Sequence, residues 1–377
     1  MIKQKESTIA VMYEKLTMSA RTRNYIQSVL LNRRVLSSIF AAALYIRSRG
    51  GRCPTKYLQD MLDQFVPQEK QKDLAYMRKL VKALYFSRGY YGANYQDYFL
   101  FDFQHLPNAE RKEYVCWFEL FSYYRKLNSL GRPEIFDNKA RTFEVFRDYY
   151  RRDVVVIEDP SQKEEFLSFV ATHKVSFLKP LREFGGIGIQ RFVCSAEPES
   201  LASYLEQCPF ILEEGIDQDL GMAQFCPTSV NTIRYNTFYH NGKLTRLQAV
   251  VRMGHSGSYV DNATSGGLYA LIDTQTGRIL GPARSDAGEE FVQHPDTGIA
   301  FEGTCIPQWD QLNDLLEEIV RVVPEQKQVG WDFALSTKGW VMIEGNTYPS
   351  LQGFDLRHGL RPMITEVFGE AIPVRRI

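Results

Sequence analysis

The chain has 377 residues, with 45 Lys and Arg against 45 Asp and Glu. That length allows two or three domains with an ample core, and the charge balance leaves no net field that would argue for nucleic acid or an anionic membrane as partner. Six scattered cysteines (Cys53, Cys116, Cys194, Cys208, Cys226, Cys305) have neither CxxC pairs nor ligand spacing. They exclude a zinc ribbon or disulfide framework and predict reduced thiols in a cytoplasmic protein.

No apolar h-region opens the chain, and the run Val35–Ile46 is too short to span a bilayer, so neither a signal peptide nor a membrane span is expected. Residues 1 to about 130 read as helical. Apolar residues at helical spacing predict a helix over Arg23–Arg47, stopped by Gly50-Gly51 and Pro54. Further helices are expected over Gln68–Ser87 and over Ala109–Leu130, the latter with Asn108 as N-cap. None carries a catalytic pattern.

Composition changes near Gly131-Arg132-Pro133, and strands and helices alternate from there, the sign of an α/β or α+β domain. Asp137 is the candidate N-cap of a helix to Tyr150 that sets Lys139 in its first turn, where a cation is poorly placed for the helix dipole. Strands are expected over Val154–Ile157 and Val175–Lys179, with Ser161-x-x-Glu164 as a capping box for a helix over Gln162–His173. Lys179-Pro180 then leads into a loop with Gly185, Gly186 and Gly188 before a strand over Ile189–Val193. Such a strand–turn–strand brings backbone N–H groups close to an anion, and a lysine at its base supplies a point charge. A helix over Pro198–Gln207 precedes the strand Phe210–Glu213, followed by the acidic run Glu213, Glu214, Asp217 and Asp219.

Ser229–Met253 is a hairpin around Asn241-Gly242. A two-residue turn sets Asn231 across from Arg252, with Arg234 on the opposite face unless a bulge intervenes. Asp261 and Asn262 lie in the polar loop that follows, and Trp309–Val323 is an amphipathic helix. The last stretch, Val329–Pro349, reads as two strands joined by Thr337-Lys338-Gly339. A three-residue loop sets Asp332 across from Glu344, a repulsive pairing, with Asn346 on the same face. Two carboxylates and an amide oxygen suit Mg²⁺; the same residues also fit a surface hairpin whose acids face water.

The segments LKPLREFGGIGIQ, FILEEGIDQD, SVNTIRYNTF, VVRMG, VDNATSGGLYALID, VGWDFAL and VMIEGNTYPSLQG, taken in this order, resemble the ATP-grasp superfamily and within it the sugar-transfer-associated branch. The resemblance implies an α+β ATP-grasp fold, two α/β subdomains clasping ATP, over residues 133–377 after a helical region 1–132. The glycine-loop subdomain would cover 133–213 and the metal-binding subdomain 214–377. It further implies that Lys139, Lys179, Gly185, Gly186 and Gly188 hold ATP phosphates, that the backbone of Glu213, Glu214 and Ile216 meets adenine, and that Asp219 meets the ribose. Asp332, Glu344 and Asn346 match Mg²⁺ ligands for two ions, with Mn²⁺ as a substitute. Arg252 matches the oxyanion-stabilising arginine, with Arg234 and Asn231 lining the site and Asp261 and Asn262 near phosphate or substrate. The implied reaction activates a carboxylate as an acyl phosphate and joins it to an amine, on small-molecule partners that include sugar- or peptide-linked ones. A small-molecule or sugar kinase and a non-catalytic nucleotide-binding partner are the competing outcomes.

Overall fold

The computed structural model describes residues 29–30, 33–47, 55–128, 131–183, 188–194, 198–258, 261, 266–349, 359 and 361–368. They form two compact units, the first from the described parts of 1–126 and 355–377 and the second within residues 127–354.

The first unit is helical. Its helices include Arg34–Arg47, Lys56–Phe65, Leu74–Tyr90 and Trp117–Leu127, joined by the C-terminal helix Arg361–Phe368. The first 11 residues of the expected Arg23–Arg47 helix fall largely outside the described residues. The expected Gln68–Ser87 helix is two pieces, because the Asp73 carboxylate accepts from the backbone N–H groups of Ala75 and Tyr76 and starts a new helix at Leu74. The expected Ala109–Leu130 helix is likewise two pieces, a single turn over Asn108–Arg111 and a helix over Trp117–Leu127. Asn108 caps nothing and accepts instead from the Tyr91 hydroxyl. Buried Asp97 reaches the backbone N–H of Trp117 at 2.9 Å, where the helix begins. Arg361 holds both Glu119 carboxylate oxygens at 2.7 Å, which ties the C-terminal helix to this unit.

The second unit holds two antiparallel sheets. In the first, β1 (Val154–Ile157), β2 (Val175–Pro180), β3 (Gln190–Val193) and β4 (Phe210–Glu214) lie in the order β1-β4-β2-β3. Helix Lys163–Thr172 covers one face, packing Phe166 and Val170 on Leu178, Phe210 and Leu212. Asp159, not Ser161, caps the turn before that helix, in a reciprocal box with Gln162. Residues 198–207 wind as a 3₁₀-helix.

The second sheet contains β5 (Thr232–His240), β6 (Lys243–Met253), β7 (Leu268–Ile272), β8 (Ala283–Ser285), β9 (Glu290–Phe291), β10 (Gln328–Ser336) and β11 (Gly339–Asn346). Their order is β11-β10-β5-β6-β7-β8-β9. Side-chain alternation gives one face Ile233, Tyr235, Ala249, Val251, Trp331 and Phe333, which pack in one core with Phe146 and with Leu312 and Leu316 of helix Trp309–Ile319. Gly277 takes φ +72°, and a Cβ there would sit 2.6 Å from the Trp309 ring, so this turn admits only glycine. The other face of the sheet is polar. The architecture is α+β after a helical N-terminal region, as the sequence predicts. The five described cysteines are free. Among the described residues, no helix is long and apolar enough to cross a membrane.

A buried charge cluster pins the first sheet. Glu213 of β4 accepts from Lys179 of β2 at 2.8 Å and from Arg152, just before β1, at 3.2 Å. Burial alone would raise the Glu213 carboxyl; the two cations outweigh it and hold it down at about 2. A carboxyl depressed on folding contributes stability that is present above its ordinary value of 4.5 and lost as pH falls toward about 2. Replacing Arg152 by Met should therefore cost about 3–5 kcal/mol, the typical penalty for breaking a buried pair, measured by urea unfolding at neutral pH. The gap between wild type and Arg152→Met should narrow at pH values approaching 2; a constant gap would contradict the pairing.

Candidate active site

Two β-bulges decide which residues share the polar face. In the β10–β11 hairpin the connection is the two-residue turn Thr337-Lys338, closed by the pair Ser336↔Gly339. That register alone would set Asp332 opposite Ile343. A bulge between Asp332 and Phe333 makes Ile343 the extra residue, so that Phe333 pairs with Met342 and Asp332 with Glu344. The expected facing carboxyls therefore exist, through a shorter turn plus a bulge rather than a three-residue loop.

The β5–β6 hairpin turns at Asn241-Gly242, both at positive φ, and begins in the predicted register with His240↔Lys243. The register then shifts between Asn236 and Thr237, leaving Leu247 as the extra residue. Arg252 consequently pairs with Thr232 instead of Asn231. The shift also puts Arg234 on the face of Arg252. Asn231 turns away: fully buried, its amide donates to Gln218 Oε1 at 3.2 Å and to the carbonyls of Met222 and Cys226 at 2.9 and 3.0 Å. These bonds anchor the loop before β5, and Asn231 does not join the cluster.

On the polar face, Asp332 is the hub. Arg234 grips it through Nε and through Nη2 at 2.8 Å, and Arg252 Nη2 stands 3.0 Å from its Oδ2. Burial would raise this carboxyl, but the two guanidinium groups hold it at about 2. Glu344 faces it across the strand pair; burial first and the Asp332 charge second push the Glu344 carboxyl up. Asn346 Nδ2 donates to Glu344 Oε1 at 3.1 Å, which leaves its amide oxygen as a third hard donor. Arg252 also donates to the Thr232 hydroxyl at 3.0 and 2.9 Å. Asp261 accepts from that hydroxyl and lies 3.8 Å from Arg252 Nε. Burial raises the Asp261 carboxyl, opposed by Arg252. Asn262 lies outside the described residues.

The lysines come in from the first sheet and the helix before it. That helix, Lys139–Tyr150, is capped by Asn138 rather than Asp137, so Lys139 is its first residue. Lys139 Nζ donates to the Glu183 carbonyl. Burial lowers its pKa; the charges of Glu344 and Glu213 work against that, while Lys179 adds to it. Lys139, Lys179, Glu213 and Glu344 thus share one electrostatic neighbourhood. Gly188 takes φ +74°, and a Cβ there would lie 2.8 Å from Pro180 Cγ, so the end of the turn requires glycine; Gly185 and Gly186 lie outside the described residues.

Beyond β4, the chain crosses to the second sheet. Half-buried Glu214 accepts from the Asp153 N–H at 3.0 Å. Ile216 follows, half-buried, and Gln218 bridges to Ser336 at the end of β10. Asp219 donates its N–H to the Leu335 carbonyl at 2.9 Å, and one of its carboxylate oxygens caps Gly221 at 2.8 Å.

Two residues escape sequence reasoning. Arg152 shows only as one of two adjacent arginines until β1 pairs with β4, and Thr232 joins Arg252 only through the Leu247 bulge. A second group with metal-ligand spacing, Asp153, His173 and Glu214, lies at the edge of the first sheet. It could coordinate a divalent metal, although His173 is already engaged by Asp153 at 3.0 Å and by the Phe169 carbonyl at 2.8 Å.

Residues 188–368 match the family described as Sugar-transfer associated ATP-grasp. No curated protein matches the chain. Solved structures similar to it include D-alanyl-alanine synthetase A from Vibrio cholerae, at 13% identity over 62% of this chain and 60% of that one, TM-score 0.38. An L-amino acid ligase from Bacillus licheniformis is similar at 11% identity over 58% of this chain and 42% of that one, TM-score 0.37. The chain thus spans less than two thirds of either protein. Strands β5, β6, β10 and β11, which carry the arginine–carboxylate cluster, all fall within residues 188–368, the part of the chain that is similar to the ATP-grasp family.

Proposed function

We propose that this protein is an ATP- and Mg²⁺-dependent ligase that activates a small-molecule carboxylate as an acyl phosphate and joins it to an amine, releasing ADP and phosphate. The observation that carries this reading is the facing pair Asp332 and Glu344, flanked by Asn346 and by two arginines on one sheet face. Facing carboxyls are costly to bury together, and a divalent cation relieves that cost; with the Asn346 oxygen they form the hard donor set Mg²⁺ takes. The residues therefore fit the metal. Bound Mg²⁺ screens the repulsion between carboxylate and triphosphate.

In this reading Asp332, Glu344 and Asn346 hold the metal. Lys139 and Lys179 supply positive charge to the phosphates, and the turn with Gly185, Gly186 and Gly188 covers them with backbone N–H groups. The backbone of Glu213, Glu214 and Ile216 meets the base, and the free oxygen of Asp219 meets the ribose. The metal-binding subdomain begins at 214, where the chain crosses toward β10. Arg252, already oriented by Asp332 and Thr232, meets charge developing on the reacting oxygen without reorganising. Arg234 holds Asp332 in place, and Asp261 and Asn262 border the approach of the carboxylate. No side-chain nucleophile is needed, because positioning and charge stabilisation suffice for phosphoryl transfer.

Glu344→Gln keeps the shape of the hairpin and removes one charge. It should abolish Mg²⁺-dependent ATP turnover in an ADP-release assay while leaving the circular dichroism melt intact; wild-type turnover would remove the metal assignment. Arg252→Lys should retain nucleotide binding by calorimetry and lose turnover by ~10²–10³, the usual loss for one oxyanion donor. With a competent substrate pair, ³¹P NMR should show ADP and phosphate accumulating together. AMP with pyrophosphate would refute acyl-phosphate formation, and a stable phosphorylated hydroxyl would make the protein a kinase.

A further inference from the structure

Helix Arg34–Arg47 of the helical unit is apolar on two sides, and the side it buries carries the smaller residues. Ser37 and Ala41 are its buried positions. Ser37 lies against helix Leu74–Tyr90, where a Cβ at Gly89 would sit 3.2 Å from Ser37 Cβ, so the two backbones approach closely. Among the described residues, the core of this unit takes Ala41, Leu44 and Tyr45 from the helix. Larger aliphatic side chains point the other way. Val35 is 72% exposed, Ile39 61% and Ile46 75%, and Ala42 is exposed between them. These four positions recur once per turn and fall within about 60° of arc, roughly opposite Ser37 and Ala41. A single exposed aliphatic residue is ordinary, whereas a continuous stripe marks an interaction surface.

The charge around the stripe is one-sided. The chain balances as a whole, yet residues 15–59 carry nine Lys and Arg and no Asp or Glu. Neither helix Arg34–Arg47 nor its neighbour Leu74–Tyr90 has an acidic residue; between them they carry Arg34, Arg47, Arg78, Lys79, Lys82 and Arg88. All but Arg88 are exposed, as is Arg33 just before the first helix. Arg34 and Arg47 stand roughly 110° to either side of the stripe, where long side chains reach past the apolar edge and keep their charges outside it. Lys82 Nζ lies 4.8 Å from the centre of the Tyr45 ring, which sets a cation of the neighbouring helix beside this one.

We infer that helix Arg34–Arg47 is a docking surface for an anionic lipid bilayer. It lies in the headgroup plane, with Val35, Ile39, Ala42 and Ile46 inserted and the flanking cations on lipid phosphates. At 14 residues it is too short to span. A second copy of this chain fits less well, because stripe against stripe would bring the cations of both copies together with no acid on either helix to offset them. The stripe offers no hydrogen-bonding side chain, and a fluid apolar layer beneath anionic headgroups receives such a convex ridge without a matching groove. The inference does not depend on the proposed nucleotide chemistry.

Flotation of the full chain with vesicles of phosphatidylcholine, alone or mixed in equal parts with phosphatidylglycerol, tests this surface. Wild type should float with the mixed vesicles and not with phosphatidylcholine alone, and added salt should release it. Ile39→Ser with Ile46→Ser removes the insertion without changing charge; Arg33→Gln, Arg34→Gln and Arg47→Gln together remove charge without changing the stripe. The double variant should lose flotation, and the triple variant should partition roughly fivefold less for each charge removed. Because the replaced side chains are exposed, both variants should keep the wild-type circular dichroism melt; should one melt lower, the other carries the test. Light scattering without lipid should show no dimer that the double variant dissolves. Such a dimer would give the stripe to a second copy and overturn the inference. So would no flotation of wild type, equal flotation with phosphatidylcholine alone, or wild-type flotation in both variants.

Discussion

The Asp332 carboxylate is the constraint on which the polar face depends. It is buried, held by Arg234 and Arg252 and pressed against Glu344. A buried carboxylate without partners would neutralise itself by taking up a proton. Here the two guanidinium groups keep Asp332 charged, and its charge in turn raises Glu344 beside it. Replacing the cluster by apolar residues of similar volume would often be no less stable. Its presence is understandable if a further cation enters between the carboxyls.

Much of this was legible in the sequence. The alternation within Val329–Pro349 announces two strands, and an assumed three-residue loop leads to the facing carboxyls that the structure reaches by a two-residue turn and a bulge. The Asn-Gly turn at 241–242 and the glycine-bearing turn after Lys179 are local signals read from residue type alone. The ordered segments pointed to the superfamily that the match over residues 188–368 supports.

What stayed hidden depends on long-range packing. Nothing local marks Ile343 or Leu247 as the extra residues, yet each bulge changes every pairing beyond it. The hairpin to Met253 thus seemed to bring Asn231 to Arg252, where Thr232 stands. In the first sheet, Glu213 reads as one of an acidic pair until β1 and β2 bring Arg152 and Lys179 beside it. In the helical unit, the sequence marks Asn108 as a cap and sets Asp73 inside an expected helix; Asp73 caps a helix, whereas Asn108 is taken by Tyr91.

The most direct test of a cation-dependent nucleotide site on this face is a calorimetric titration of the wild-type chain with a non-hydrolysable ATP analogue, with and without Mg²⁺. The facing carboxyls predict that Mg²⁺ strengthens binding by at least about tenfold, about 1.4 kcal/mol. Equal affinity in the presence of a chelator, or no binding under either condition, would contradict it.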